Sequence, residues 1–412
     1  MTASRPYLAN LTPLRGIAAL LTVIFHVDLS LSGGRGALLH ASDSQLISQM
    51  YLMVDFFFIL SGFIMLHVYG KHFSSAVTGK AFLQFTRARF ARVYPLHLAM
   101  LLYTAAMFGI AAAAGIPRSV VLEGENNAFS FLTSLLLLQS MNLHGWFSWV
   151  HASWSISTEW WMYMLFPFLV IPFTRLRAWG RAAVVLLCLA GYVAIMLWLT
   201  PNVRLSPALQ AFFMAVSGGE GPPMFDASIN VAFQFGFVRC LCGFVLGMTV
   251  YQAYQDGWAR RWFGNGYMIA AAALGLMLTL HLNTPDLVSV VFFPLILLSA
   301  AYGSPRMNQL FGTAAMQRLG DWSFSIYLVH QPLMYTIEKI ILYGAAQTPA
   351  SSTAPAGPPP VPPMSAAWLI CLGFIALTLL ISSLMYRYVE VPARNWLNPR
   401  PADSPAAALP VS

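Results

Sequence analysis

Charge is what this chain has least of. Only 9% of its 412 residues are Asp, Glu, Lys or Arg, while 58% are hydrophobic and the mean hydropathy is +0.66. A soluble globular chain carries about 25% charged residues. The scarcity excludes a soluble enzyme or adaptor and implies an integral membrane protein. Cysteine is also scarce. Cys188, Cys240, Cys242 and Cys371 all lie in apolar runs, with no His or further Cys at metal-ligand spacing. They read as small packing residues, and no metal site is expected. No internal repeat is visible, which weakens an inverted-repeat transporter. A signal peptide is also lacking, since the first apolar run contains Arg15 and no small-x-small cleavage site, and it is expected to remain as a helix. The net charge of +8 would suggest nucleic acid in a soluble chain. In a membrane chain it is better explained by Lys and Arg in cytoplasmic loops, and no nucleic-acid partner is expected.

What the chain does have is long apolar runs. Ten are long enough to span a bilayer, at about 12–29, 51–69, 95–114, 154–173, 182–199, 231–254, 265–282, 286–303, 322–343 and 365–386. A further run at 129–143 is short for a crossing. If it does not cross, Arg175, Arg177 and Arg181 fall inside, and 17 of the 22 Lys and Arg lie on the cytoplasmic side. The positive-inside rule therefore predicts an all-α membrane protein of about ten transmembrane helices with both termini inside, and with 129–143 re-entrant or on the outer surface. One polytopic domain over 1–396 is expected, followed by a disordered cytoplasmic tail over 397–412. The basic, aromatic stretch 70–94 predicts an interfacial helix ending at Pro95. The outer loop 200–230, with Ser217, Gly218, Gly219 and Pro222–Pro223, should be irregular, and the Pro-rich loop 344–364 extended.

Polar residues inside these spans are the candidates for chemistry. Arg15 and His26 are eleven residues apart on the first span, so they share one face about 16 Å apart along the axis. With the predicted topology His26, Asp55, Glu159, Arg239 and His330 all fall in the outer half of the bilayer. Arg15, Arg87, Arg89, Arg92 and Arg394 form an inner set suited to a phosphate-bearing ligand. Ser155, Glu159 and Tyr163, spaced four apart, put a polar face on one helix. Structural roles compete with these. Asp55 suits the start of its helix, Glu159 could pair with Arg239, and Trp154, Trp160 and Trp161 read as an interfacial belt. An imidazole beside a carboxylate can act as general base, and an arginine can stabilise an oxyanion. The same residue types serve a proton-coupled transporter of acylated or glycosidic molecules, the alternative reading.

Six motifs occur in one order: LRGIAALLTVIFH, VDFFFILSGF, RFARVYPLH, WSISTEWWMY, LGDWSFSIYLVHQP and YVEVPARNW. Together they resemble the membrane acyltransferase-3 family of bacterial O-acyltransferases over nearly the whole chain. The resemblance implies a multi-pass enzyme of the bacterial inner membrane. It would transfer an acyl group, acetyl above all, from acyl-CoA to hydroxyls of envelope glycans, exported polysaccharides or glycosylated natural products. Acyl-CoA would be a co-substrate, with no permanently bound cofactor; a carbohydrate or glycolipid acceptor and the bilayer would be the other partners. The resemblance also implies catalysis by His26, and the residue chemistry adds Glu159 or Asp55 as the carboxylate orienting it. Arg239, His330 and Ser155 would support the oxyanion or acceptor side. Arg15, Arg89, Arg92 and Tyr94 would bind the donor. Some family members carry an extra outer esterase-like domain; this chain is expected to act without one.

Overall fold

The computed structural model describes residues 8–33, 36–216, 228–347 and 361–398, and every regular element among them is helical. In chain order the helices are α1 (Leu11–Ser32), α2 (Met53–Phe73), α3 (Gly79–Ala113), α4 (Val120–Glu123), α5 (Ala128–Leu135), α6 (Ser153–Thr174), α7 (Ala178–Ala194), α8 (Pro207–Val216), α9 (Gly236–Gln255), α10 (Arg260–Phe263), α11 (Tyr267–His281), α12 (Asp286–Tyr302), α13 (Pro305–Phe311), α14 (Ala314–Asp321), α15 (Ser323–Gln347), α16 (Met364–Met385) and α17 (Val391–Leu397). Residues 217–227, 348–360 and 399–412, which carry the glycines of the outer loop and most of the Pro-rich loop and the tail expected above, lie outside the described residues, and the described part of the loop 200–230, expected to be irregular, contains the helix α8.

Each apolar run read from the sequence falls on a helix, but not every helix is long enough to cross alone. Among the described residues seven helices are both long and apolar enough, and there is an eighth span if α12 and α13, bent by 97° at their junction, form one broken span. Helix α11 has only 15 residues, about 22 Å against a hydrocarbon core of about 30 Å. The segment 129–143 gives an eight-residue α5 and then irregular backbone. Asn127 caps α5 reciprocally with Ser130, which fixes its start, and Leu137 with φ of 56° turns the chain just past its end.

The basic stretch differs from its expected boundary. It does not end at Pro95: Thr78 caps α3, which runs unbroken through Pro95 for 35 residues. At about 1.5 Å per residue it is roughly 52 Å long, more than an apolar layer of about 30 Å requires. A proline inside a membrane helix is tolerated where neighbouring groups satisfy the freed carbonyl.

The bundle is built around α2 and α9, whose apolar windows are 78% and 72% buried, against 17% for α7 and 22% for α16. The outer helices present Leu186, Leu187, Leu369 and Leu372 to the surroundings, as lipid-facing helices do. The central pair approaches closely because glycine permits it. A Cβ on Gly62 would lie 1.8 Å from the Phe244 carbonyl oxygen, and one on Gly247 would lie 1.8 Å from that of Ile59. Small residues let membrane helices pack backbone to backbone. This contact sets the rotation of α9 against α2, and so decides which polar residues meet.

Candidate active site

Three polar layers are stacked along the bundle beside this central pair. The first is a cavity of about 90 Å³ walled by α1, α2, α3, α6 and α15, with room for several waters. Arg15, Arg89, Arg92, Glu159 and Tyr163 line one part of it, and Phe57, Ser155 and Tyr327 another. Arg15 has no hydrogen-bond or ion-pair partner among the described residues. The Arg89 Nη2 donates to the Tyr69 hydroxyl at 3.0 Å, and its guanidinium lies over the Tyr69 and Tyr163 rings, 5.1 and 5.8 Å from their centroids. Arg92 is in a buried ion pair with Glu390, whose other oxygen accepts from Ser325 at 2.9 Å. Glu390 sits in a single π-helical turn, Tyr386–Glu390, a local bulge of the kind often found at functional sites. Glu159 accepts from Ser61 and Tyr163.

The second layer closes the cavity. Ser155 Oγ and the Tyr327 hydroxyl are 2.8 Å apart, and Phe57 meets the Tyr327 ring edge to face at 5.8 Å. The third layer, one turn further along α15, is a pair of histidines. His330 Nε2 lies 3.2 Å from His26 Nδ1. His26 Nδ1 is also 2.9 Å from the Thr22 carbonyl, and His330 Nδ1 is 3.2 Å from that of Ile326. A carbonyl can only accept, so both Nδ1 atoms carry protons, and His330 Nε2 accepts a share of the proton on His26. These partners assign Nε2 of His26 as the unprotonated ring nitrogen, the atom available to a hydroxyl proton. His151, in the loop before α6, is held neutral: burial pushes its imidazole down to about 3.

Several expected placements change. Asp55 does not orient His26. Both of its oxygens are taken by Arg239, with Nη2 at 2.6 Å and Nε at 3.1 and 3.2 Å, and the Tyr192 hydroxyl adds a third donor at 3.3 Å. Arg239 is fully buried and also donates to Asn230 and the Val231 carbonyl, both at 3.3 Å, so it is no free oxyanion donor. Its guanidinium lies 5.5 Å over Trp154, which is therefore a core residue and not part of an interfacial belt. Glu159 pairs neither with Arg239 nor with His26; it lies among the arginines of the cavity. Tyr94 is outside the cavity, stacked on Phe90 and donating to the Leu135 carbonyl at 3.0 Å. His330 does meet His26, while Ser155 meets Tyr327 at the end of the cavity. The reading missed Glu390 as the partner of Arg92, although the terminal motif contains it. It also missed the two carbonyls that fix the imidazoles, which no side-chain pattern signals.

Residues 8–387 match the sequence model of the acyltransferase 3 family, described as an acyltransferase domain. The chain is 27% identical to the acyltransferase MdmB of Streptomyces mycarofaciens over 98% of its own length and 95% of that protein. It is 33% identical to protein 2 in the picA locus of Rhizobium radiobacter over 154 residues, 35% of this chain and 73% of that one. No solved structure matches.

Proposed function

The chain belongs to the acyltransferase 3 family of membrane acyltransferases, and from that premise we propose that it moves an acetyl or similar acyl group from acyl-CoA to a hydroxyl of a cell-envelope or exported glycan, or of a glycosylated metabolite. The reading includes a ten-span frame in a bacterial inner membrane with both termini inside, so that the arginine end of the cavity faces the cytoplasm and its CoA pool. The observation that carries it is the line from an arginine without a partner, through a cavity, to an imidazole of fixed tautomer. Arg15 and Arg89 offer charge-assisted hydrogen bonds to the donor's phosphates. The pantetheine arm lies in the cavity. His26 Nε2 takes the proton of the acceptor hydroxyl, and the oxygen attacks the thioester carbonyl. The carbon–sulfur bond then breaks, and the departing thiolate takes that proton from the imidazolium. The Thr22 carbonyl and His330 hold the Nδ1–H and stabilise the imidazolium, the task first expected of a carboxylate.

The test uses purified protein in liposomes, acetyl-labelled CoA and an envelope-glycan extract. A labelled ester should form, and His26→Gln should slow it by at least about two orders of magnitude, since an amide cannot take up the proton. Label that crosses the membrane without any new ester would replace the enzyme reading with the transporter. A folded Gln variant with near-parental turnover would remove His26 from the chemistry and leave His330 as the base.

A further inference from the structure

The cavity and the histidine pair are separate spaces. Arg15, Arg89, Glu159 and Tyr327 line the cavity; His26 and His330 do not. On α15, Tyr327 precedes His330 by one helical turn, and their rings are 6.0 Å apart. Anything that passes from the arginines to His26 must cross the level of Tyr327. At that level Phe57 and Tyr327 are in contact, and the hydroxyl of Tyr327 is tied to Ser155. The surrounding wall is solid: Val54, Phe58 and Ile156 line the cavity too and are 6%, 1% and 4% exposed. Phe57 is only partly buried, packed between the main core and the smaller cluster that α1 forms with α16. It is therefore the side chain at this level with the most room to turn.

We propose that Phe57, Tyr327 and Ser155 form a size filter between the donor cavity and the base, and that it selects the acyl group by length. The inference rests on the acyl-CoA reading above. The thioester carbonyl must reach the acceptor oxygen held at His26 Nε2, and the acyl chain turns aside from the carbonyl into this layer, beside Phe57. A turn of Phe57 opens space for an acetyl or propionyl group. A longer chain has to displace Val54, Phe58 or Ile156, and overfilling a packed core is costly. The transfer step is unchanged: the acyl carbon exchanges its bond to sulfur for one to the acceptor oxygen, and the proton moves through His26.

The filter is tested by the cleavage of acetyl-, butyryl- and octanoyl-CoA by the reconstituted full chain, read as CoA thiol release, with methyl glucoside offered as the hydroxyl and water always present. The parent should cleave acetyl-CoA at least about tenfold faster than octanoyl-CoA, in line with pocket discrimination between alkyl groups. Phe57→Ala should bring that ratio to within about threefold, and Phe57→Leu, a milder change to the core, should shift it in the same direction. Tyr327→Phe keeps the ring but frees it from Ser155, and should give an intermediate ratio. Because each result is a ratio within one preparation, a lower yield of folded variant does not alter it. If acetyl-CoA cleavage persists with the parental length profile in both Phe57 variants, the filter is overturned and the acyl-CoA reading stands. If the parent cleaves no thioester of any length, the acyl-CoA reading itself is overturned.

Discussion

At the start of α2, Arg239 commits its nitrogens to Asp55, Asn230 and the Val231 carbonyl, and both partners of the ion pair are fully buried. Beside the other half of the same helix, Arg15 lines a cavity with no such partner among the described residues. Both arginines lie within membrane helices, where a bare charge is expensive. The difference separates scaffold from site. A guanidinium satisfied on every side has nothing left to offer a ligand, and it joins α9 to α2. A guanidinium facing water-sized space keeps its donors for an anion that arrives. Arg92 stands between the two, lining the cavity yet paired with Glu390. The residue type is the same in all three; the partner makes the distinction.

The largest effect should come from breaking the closed site. Arg239→Ala strands a buried carboxylate, and losing one partner of such a pair costs about 3–5 kcal/mol. The variant should fail to yield monodisperse protein or should melt far lower in detergent. Replacing both partners together, Arg239→Met with Asp55→Leu, removes the charge and its need at once, and often restores stability. That double variant should fold and keep acyl transfer, because neither residue touches the reacting groups. If it folds normally and has no turnover, the pair takes part in the chemistry and the comparison fails.

The open site should respond in the opposite way. Arg15→Gln should raise the KM for acyl-CoA by the loss of a charge-assisted contact, about 1.5–3 kcal/mol, with little change in kcat. Its melting temperature should hold or rise, since a charge without an ion-pair partner among the described residues has been removed from a membrane helix. Arg92→Ala should raise KM as well but also lower the melting temperature, because it leaves Glu390 unpaired. A lowered melting temperature with an unchanged KM in Arg15→Gln would class Arg15 with Arg239.

How much of this was legible beforehand follows from the same comparison. The helices were readable because apolar length is written directly in the residues: the runs at 12–29 and 51–69 became α1 and α2 almost unchanged. Level along the bundle was readable only in part: Glu159, expected with the outer set, lies among Arg15, Arg89 and Arg92 in the cavity. Rotation was not. Whether Arg239 meets Glu159 or Asp55 depends on how α9 turns against α2, which is set by the contacts of Gly62 and Gly247 with backbone on the facing helix. Nor was the source of orientation for His26, because a helix offers a carbonyl four residues back whatever the sequence, and Thr22 supplies one without any side-chain signature. The continuity of α3 through Pro95 was hidden for a related reason: a proline's cost depends on neighbours that the local sequence does not name.

The smallest effect sharpens the boundary of the open site. Tyr94 lies in the same basic motif as Arg89 and Arg92, and the motif alone groups it with them as a donor contact. Its hydroxyl instead holds the Leu135 carbonyl at the end of α5, and its ring stacks on Phe90 with centroids 4.4 Å apart. Tyr94→Phe keeps the ring and deletes one neutral hydrogen bond, worth about 0.5–1.5 kcal/mol. The cost should appear as a slightly lower melting temperature, and as faster proteolysis or hydrogen exchange near 128–135, where that bond anchors the end of a short helix. The KM for acyl-CoA should stay within about twofold of the parent, because a group outside the cavity adds nothing to donor binding. A KM raised about tenfold at unchanged melting temperature would bring Tyr94 into the donor site, and the cavity as drawn would be too small.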